Sequence, residues 1–254
     1  MKNHIFLILD AVRYDIFNEM DFSALPNDPL RTQSHAMWTV PSIFSYLTGM
    51  SPVRAKKPPF KTGEESPPDW IPKLLKSNGY RTAFHSGSAW IYLYRRFFSQ
   101  YFDKFDVNME HNRLEPDFVN TTFKEEPFFE LFHVLETHNP IYDGEKSYEL
   151  KKDREYNVDA MKSSLDYVDR KLPTLIDGAP DGTVVTLTAD HGECLGENGS
   201  WGHGPRVSEA KQKKVDGMFR VKEHSKKLYE VPYSVGRVLD GDIKWKGSKK
   251  LECK

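Results

Sequence analysis

Apolar residues run unbroken from Ile5 to Leu9 and stop at Asp10. A short continuous run between polar flanks predicts a strand buried on both faces, as in a parallel sheet. The same reading predicts strands over Arg81–His85, Phe128–Leu135 and Thr183–Ala189, the last rich in β-branched residues. Pro41–Leu47 reads as the first turns of a helix that Gly49 ends, and Trp70–Ser77 as a second, stopped at Gly79. The strongest helix is Asn157–Ile176. There Val158, Met161, Leu165, Val168, Leu172 and Leu175 recur at three- and four-residue steps until Asp177-Gly178. Strands alternating with helices predict an α/β fold, a three-layer α/β/α sandwich around a largely parallel sheet. In such sheets function gathers beyond the carboxyl ends of the strands.

No repeat or linker divides the 254 residues, so a single catalytic domain over 1–254 is expected. Five prolines within residues 52–68 mark a surface loop. The 36 Lys and Arg balance 37 Asp and Glu, which offers no case for nucleic-acid binding. The balance is uneven, however. Segment 205–254 holds 14 Lys and Arg against 7 Asp and Glu, a net +7 that suits a solvated surface, or contact with an anionic substrate or a membrane surface. Two cysteines, Cys194 and Cys253, exclude a disulfide-dense scaffold. No apolar run suffices for a secretory or transmembrane segment, so a soluble, cytoplasmic chain is expected.

Polar clusters follow three of the predicted strands: Asp10, then Glu136-Thr137-His138, then Asp190-His191. Any one could be a helix cap. Together with His203 they form a donor set suited to Zn²⁺, Mn²⁺ or Mg²⁺. Thr39 opens the Pro41 helix. It is either an N-cap or a hydroxyl nucleophile, and a hydroxyl needs metal activation near neutral pH. The same helix end would offer N–H groups to an anionic ester.

Thr39-Val-Pro-Ser-Ile, with Thr48-Gly49 at the matching distance, resembles the sulfatase signature Cys/Ser-x-Pro-Ser-Arg. Leu9-Asp10 with Arg13-Tyr14-Asp15 is similar to the first metal motif of nucleotide pyrophosphatase/phosphodiesterases. The stretch Thr188–Gly199, then His203-Gly204, resembles the second metal motif of phosphoethanolamine transferases. Thr137-His138-Asn139-Pro140 matches the His-x-Pro segment of both groups, and Tyr229–Pro232 a late strand start. The ordered set resembles the alkaline phosphatase/sulfatase superfamily, which implies an alkaline-phosphatase-like fold.

The resemblance implies one metal held by Asp10, Asp190, His191 and Thr39. It implies that His138 and His203 hold or approach a second metal, or bind phosphoryl oxygens and act as acids. Glu136 and Asp143 are the nearest candidates for a further ligand. Zn or Mn is expected, with Ca or Mg as options. Thr39 cannot be oxidised to formylglycine, and Ile43, Leu9 and His191 replace other sulfatase residues. These departures imply a metal-dependent hydrolase of phosphate mono- or diesters with a Thr39 phospho-enzyme. The alternatives are a phospho-headgroup transferase, a sulfatase and a silent binding domain. The partner would be an anionic ester.

Other residues carry weaker signals. His85 is a satisfied structural histidine or a pocket group, His35 a candidate substrate contact, and Arg13 an oxyanion contact or a surface ion pair. Cys194 reads as packing, and Trp90–Phe98 as core or as a wall for the leaving group. His4, His111, His133 and His224 have no supporting neighbours.

Overall fold

A computed structural model describes residues 2–50, 70–107, 123, 126–203, 214–215, 218–219 and 227–247. The proline-rich stretch 52–68, His111, His224, Cys253 and parts of segment 205–254 lie outside them.

In chain order the elements are β1 (His4–Leu9), α1 (Tyr14–Phe17), β2 (Leu30–Gln33), α2 (Thr39–Thr48), α3 (Ile71–Ser77), β3 (Arg81–Ser86), α4 (Ala89–Leu93), α5 (Arg95–Phe98) and β4 (Lys104–Val107). Then come β5 (Phe128–Val134), β6 (Ile141–Tyr142), β7 (Ser147–Tyr148), α6 (Arg154–Leu175), β8 (Val184–Ala189), β9 (Cys194–Leu195) and β10 (Trp201–Gly202). Last are β11 (Lys214–Val215), β12 (Met218–Phe219), β13 (Glu230–Leu239) and β14 (Asp242–Trp245).

The main sheet runs β14-β13-β8-β1-β5-β3-β4, with β2 also on β13. β8, β1, β5, β3 and β4 are parallel, and β13 is antiparallel to β8. The expected largely parallel α/β sheet is therefore present. Its two faces follow the two-residue period of β1. Ile5, Leu7 and Leu9 pack with Met161, Leu165 and Leu172 of α6. Ile8 packs with Val40, Ile43 and Phe44 of α2, and with Trp70 and Phe98. Helices thus cover both faces, and β1 at the centre is shielded from water on either side.

The predicted elements recur with shifted ends. α6 starts three residues before Asn157 because the Asp153 carboxylate caps it, accepting from Tyr156 N at 3.2 Å. Gly49 ends α2 in the left-handed conformation at φ 67, as expected. No helix among the described residues is long and apolar enough to cross a membrane.

The turn after β8 is clamped. Gly192 N donates to Leu228 O at 2.8 Å, and a Cβ at Gly192 would stand 1.9 Å from Lys227 O. The obstacle is backbone, so it cannot rotate away. Gly192→Ala is expected to lose about 2–4 kcal/mol in denaturant unfolding. An unchanged midpoint would show that the 227–228 backbone yields freely.

Candidate metal centre

β8, β1 and β5 are sheet neighbours running in one direction, so the residues after them meet on one edge. Asp190 N bonds Leu9 O at 3.2 Å and Asp10 N bonds Val134 O at 2.9 Å, which carries the pairing past the strand ends. Asp10, Asp190 and His191 come together there, all buried, with one candidate ligand atom from each lying within 4.8 Å of the others. α2 packs over the same end and adds Thr39, whose hydroxyl donates to Asp10 Oδ2 at 3.4 Å. Thr39 is helical and Trp38 holds the N-cap position, so the capping alternative for Thr39 is not the observed one. Asp10 caps nothing either; Arg13 precedes α1. The helix end offers fewer donors than expected, because Pro41 has no N–H and Ser42 N already donates to Trp38 O at 3.4 Å.

The orientation of each donor is set. Asp190 Oδ1 accepts from Ala11 N at 3.0 Å and His191 N at 2.8 Å. His191 Nδ1 sits 2.8 Å from Gly192 O, an acceptor only, so Nδ1 carries the proton. The Nε2 lone pair then faces Asp10 Oδ1 at 3.6 Å and Asp190 Oδ2 at 3.5 Å. All three of these facing atoms are buried without a hydrogen-bond partner. Two buried carboxylates and an imidazole nitrogen, aimed at one another and unsatisfied, fit a divalent cation.

His133, given no role from sequence, belongs to this centre. Its Nε2 stands 3.2 Å from Asp10 Oδ2 and 3.6 Å from Asp190 Oδ2, and Ser86 Oγ meets its Nδ1 at 2.9 Å. Burial opposes its charge, yet the two carboxylates outweigh this and pull it up to about 9. For Asp10, burial raises the carboxyl pKa, but His138, His133 and His191 hold it below the ordinary carboxylate range.

His203 and His138 complete the surroundings. The His203 ring lies 4.3 Å from that of His191 and 5.4 Å from that of His138. Glu193, inside the Thr188–Gly199 stretch but given no role from sequence, is buried and accepts from His203 Nδ1 at 2.8 Å. Burial lowers the His203 pKa, and Glu193 more than reverses this, to about 9.

The remaining expectations divide: Asp143 and Arg13 are corrected, while His85 and Cys194 take the structural and packing roles read for them. Asp143 is spent in the β6–β7 hairpin, accepting from Lys146 N at 3.0 Å and from the Tyr148 hydroxyl, so it is no ligand here. Arg13 is neither an oxyanion contact nor a surface ion pair. Its fully buried guanidinium binds Asp15 at 2.7 Å, Glu197 at 2.6 Å and Glu193 O at 3.3 Å. His85 is structural, bonded to Glu130 at 2.8 Å and stacked on Phe132. His35 is exposed, and Cys194 is buried outside the cluster. Of the Trp90–Phe98 stretch, Ile91 and Phe98 are core, whereas Trp90 is half exposed.

The Arg13 clasp makes an acid prediction. Burial raises the Glu197 pKa, but Arg13 outweighs it and lowers it from 4.5 to about 2. A depressed carboxyl stabilises fully above its unfolded value and loses that contribution as pH falls through the folded one. Stability should therefore decline between 4.5 and about 2. Glu197→Gln should flatten that part of a urea-midpoint profile, and an unaltered slope would remove Glu197 from it.

The sequence model of the sulfatase family matches residues 23–240. Its match begins after Asp10, so the place of Asp10 in the centre rests on geometry. The low-salt glycan biosynthesis sulfotransferase Agl7 of Haloferax volcanii is 30% identical over 220 residues, which cover 80% of this chain and 50% of that protein. The chain thus spans about half the length of this curated relative. The lipoteichoic acid synthase LtaP from Listeria monocytogenes superposes with a TM-score of 0.58 at 16% identity, over 91% of this chain and 65% of that one. The C-terminal periplasmic domain of EptC from Escherichia coli, in complex with Zn, gives 0.57 at 14% identity, over 92% and 72%. At these identities the two structures share the fold.

Proposed function

We propose that this chain, which belongs to the sulfatase family within the alkaline phosphatase superfamily, is a divalent-metal-dependent enzyme that breaks a phosphate ester through Thr39. The observation that carries the reading is the Thr39 hydroxyl on Asp10, beside the unsatisfied Asp10–Asp190–His191 set. Asp10, Asp190 and His191 would hold the cation, with Thr39 beside it. A cation there supplies two things: a lowered pKa for the hydroxyl and compensation for charge on the ester oxygens.

The chain's own groups account for the rest. Thr39 Oγ1 attacks phosphorus, its proton passing toward Asp10 Oδ2, and the bond to the leaving oxygen breaks. His203, oriented through Nδ1 by Glu193, presents Nε2 as the proton donor to that oxygen. His138 flanks the same space and binds a non-bridging oxygen. Water or an acceptor hydroxyl then attacks the Thr39 phosphoester. The attacking oxygen gives its proton to His203 Nε2, the bond between phosphorus and Oγ1 breaks, and Thr39 takes back the proton held at Asp10.

A second reading is sulfuryl transfer at the same site. It is favoured by the name of the Haloferax volcanii relative. Assays of nitrophenyl phosphate, bis-nitrophenyl phosphate and nitrophenyl sulfate separate the two, run after chelation and with Zn²⁺, Mn²⁺, Mg²⁺ or Ca²⁺ restored. Metal-dependent phosphoester cleavage is expected. Preference for the sulfate ester would favour the second reading, and sulfate cleavage that survives loss of Thr39 would overturn the mechanism.

A further inference from the structure

The proposed reaction leaves one buried polar side chain of the centre unused. His133 lies on the sheet face that carries α2, paired across from Ile8. Its Nε2 faces Asp10 Oδ2 at 3.2 Å and Asp190 Oδ2 at 3.6 Å, and has no other partner among the described residues. The atoms that close on one cation are those of Asp10, Asp190 and His191. His133 is therefore a neighbour of the ligands and not one of them.

The ring is oriented from its other nitrogen. Ser86 Oγ meets Nδ1 at 2.9 Å and accepts from Ser88 N at 3.0 Å. With that acceptance made, the Ser86 proton is available to Nδ1, and the ring hydrogen then sits on Nε2. A cationic ring carries a hydrogen there too. In either state an N–H faces the carboxylates.

The two carboxylates are held differently. Asp190 Oδ1 accepts from two backbone amides, Ala11 N and His191 N. Among the described residues no amide reaches the Asp10 carboxylate, whose Oδ2 takes the Thr39 hydroxyl at 3.4 Å. That is long for a hydroxyl bond, for which about 2.7–2.8 Å is usual. Thr39 alone does not fix Asp10, and the shorter contact is the one from His133. Asp10 Oδ1 meanwhile faces His191 Nε2 at 3.6 Å, on the cation side. If Asp10 turned both oxygens to the cation, the Thr39 proton would lose its acceptor.

We infer that His133, oriented by Ser86, is a positioning residue: it keeps Asp10 on the cation through Oδ1 alone and reserves Oδ2 for the Thr39 hydroxyl. The inference rests on the reading that Thr39 attacks beside a metal held by Asp10.

The test compares His133→Leu, His133→Gln and Ser86→Ala with wild type, each loaded with Co²⁺. The visible absorption band of that ion weakens as its coordination number rises. Leucine fills the space without a donor, whereas glutamine returns an N–H close to the place of Nε2. At saturating metal, His133→Leu should lower kcat for nitrophenyl phosphate about 10- to 100-fold, the usual scale for a residue that orients a ligand, with KM little changed. Its cobalt band should weaken as the second Asp10 oxygen joins the ion. His133→Gln should recover most of both, and Ser86→Ala should move both the same way by less. Thermal melting of the loaded proteins shows which are folded, and Ser86→Ala decides alone if His133→Leu is not. Positioning is overturned if the cobalt band stays at its wild-type strength in the folded variants, whether or not turnover falls. A glutamine variant no better than the leucine one would also overturn it. A weakened band in His133→Leu, in a protein without Thr39-dependent cleavage, would fail the chemistry and keep the positioning.

Discussion

Thr39→Ala lowers phosphoester turnover by about three orders of magnitude or more at saturating metal, while the protein stays folded. The two effects separate because of where Thr39 sits. It is helical, the N-cap position is Trp38, and no side-chain cap bond is lost. Alanine is a good helix former, so the change in stability should stay within about 1 kcal/mol. The lost atom is the one that hydrogen-bonds Asp10 Oδ2. Thr39→Ser restores the hydroxyl and should recover turnover to within about tenfold. The decisive measurement is kcat/KM for nitrophenyl phosphate, together with intact-mass spectra of rapidly quenched enzyme. A covalent adduct that still forms in Thr39→Ala would place the nucleophile elsewhere.

Asp190→Asn removes the thermal stabilisation that a divalent cation confers. At a free metal concentration of about 100 times its Kd, a cation that binds only the folded state adds about 2.7 kcal/mol. For a chain of this size that is roughly 5–10 °C in Tm. Asparagine keeps an acceptor oxygen for Ala11 N and His191 N, the two bonds that Asp190 Oδ1 makes. What it loses is the charge on the atom that faces Asp10 and His191. The metal-free variant should therefore melt near the wild-type temperature, since one of two opposed buried carboxylates is gone. The cation should then add little. Calorimetric scans with and without Zn²⁺ or Mn²⁺, and the bound-metal stoichiometry, check this. An undiminished shift in Asp190→Asn would mean that the ion sits elsewhere.

Asp10, Asp190 and His191 were legible in the sequence because Asp10 and Asp190 directly follow predicted buried strands and His191 comes next. Parallel neighbours then place such residues on one edge without further information. Thr39 was legible only through the resemblance, because a threonine at a helix start reads equally well as a cap. His133 was hidden inside a run read as apolar. Its direction depends on the β1–β5 register, in which it lies opposite Ile8 on the face that carries α2. A usable signal existed: a histidine in a strand buried on both faces needs a polar partner. Glu193 and Arg13 had no such local signal, since Arg13 meets Glu193 O 180 positions away. Asp143 misled because closeness to His138 along the chain is undone by a hairpin that consumes its carboxylate. β2, β4 and β14 are four residues each and lack an unbroken apolar run, so pattern reading passed over them.

The central position of β1 bears on how the protein is made. β1 leaves the ribosome before β5 and β8 and cannot be sheathed until both have been synthesised. Thr137 Oγ1 reaches Asp10 O across 127 positions, and Ala11 N reaches Asp190 across 179. Contacts of such separation form late and slowly. A nascent chain therefore has no assembled cluster to load, and ions cannot template its early collapse. Metal captured at the end would act as a latch on finished molecules, slowing their unfolding far more than it hastens their folding.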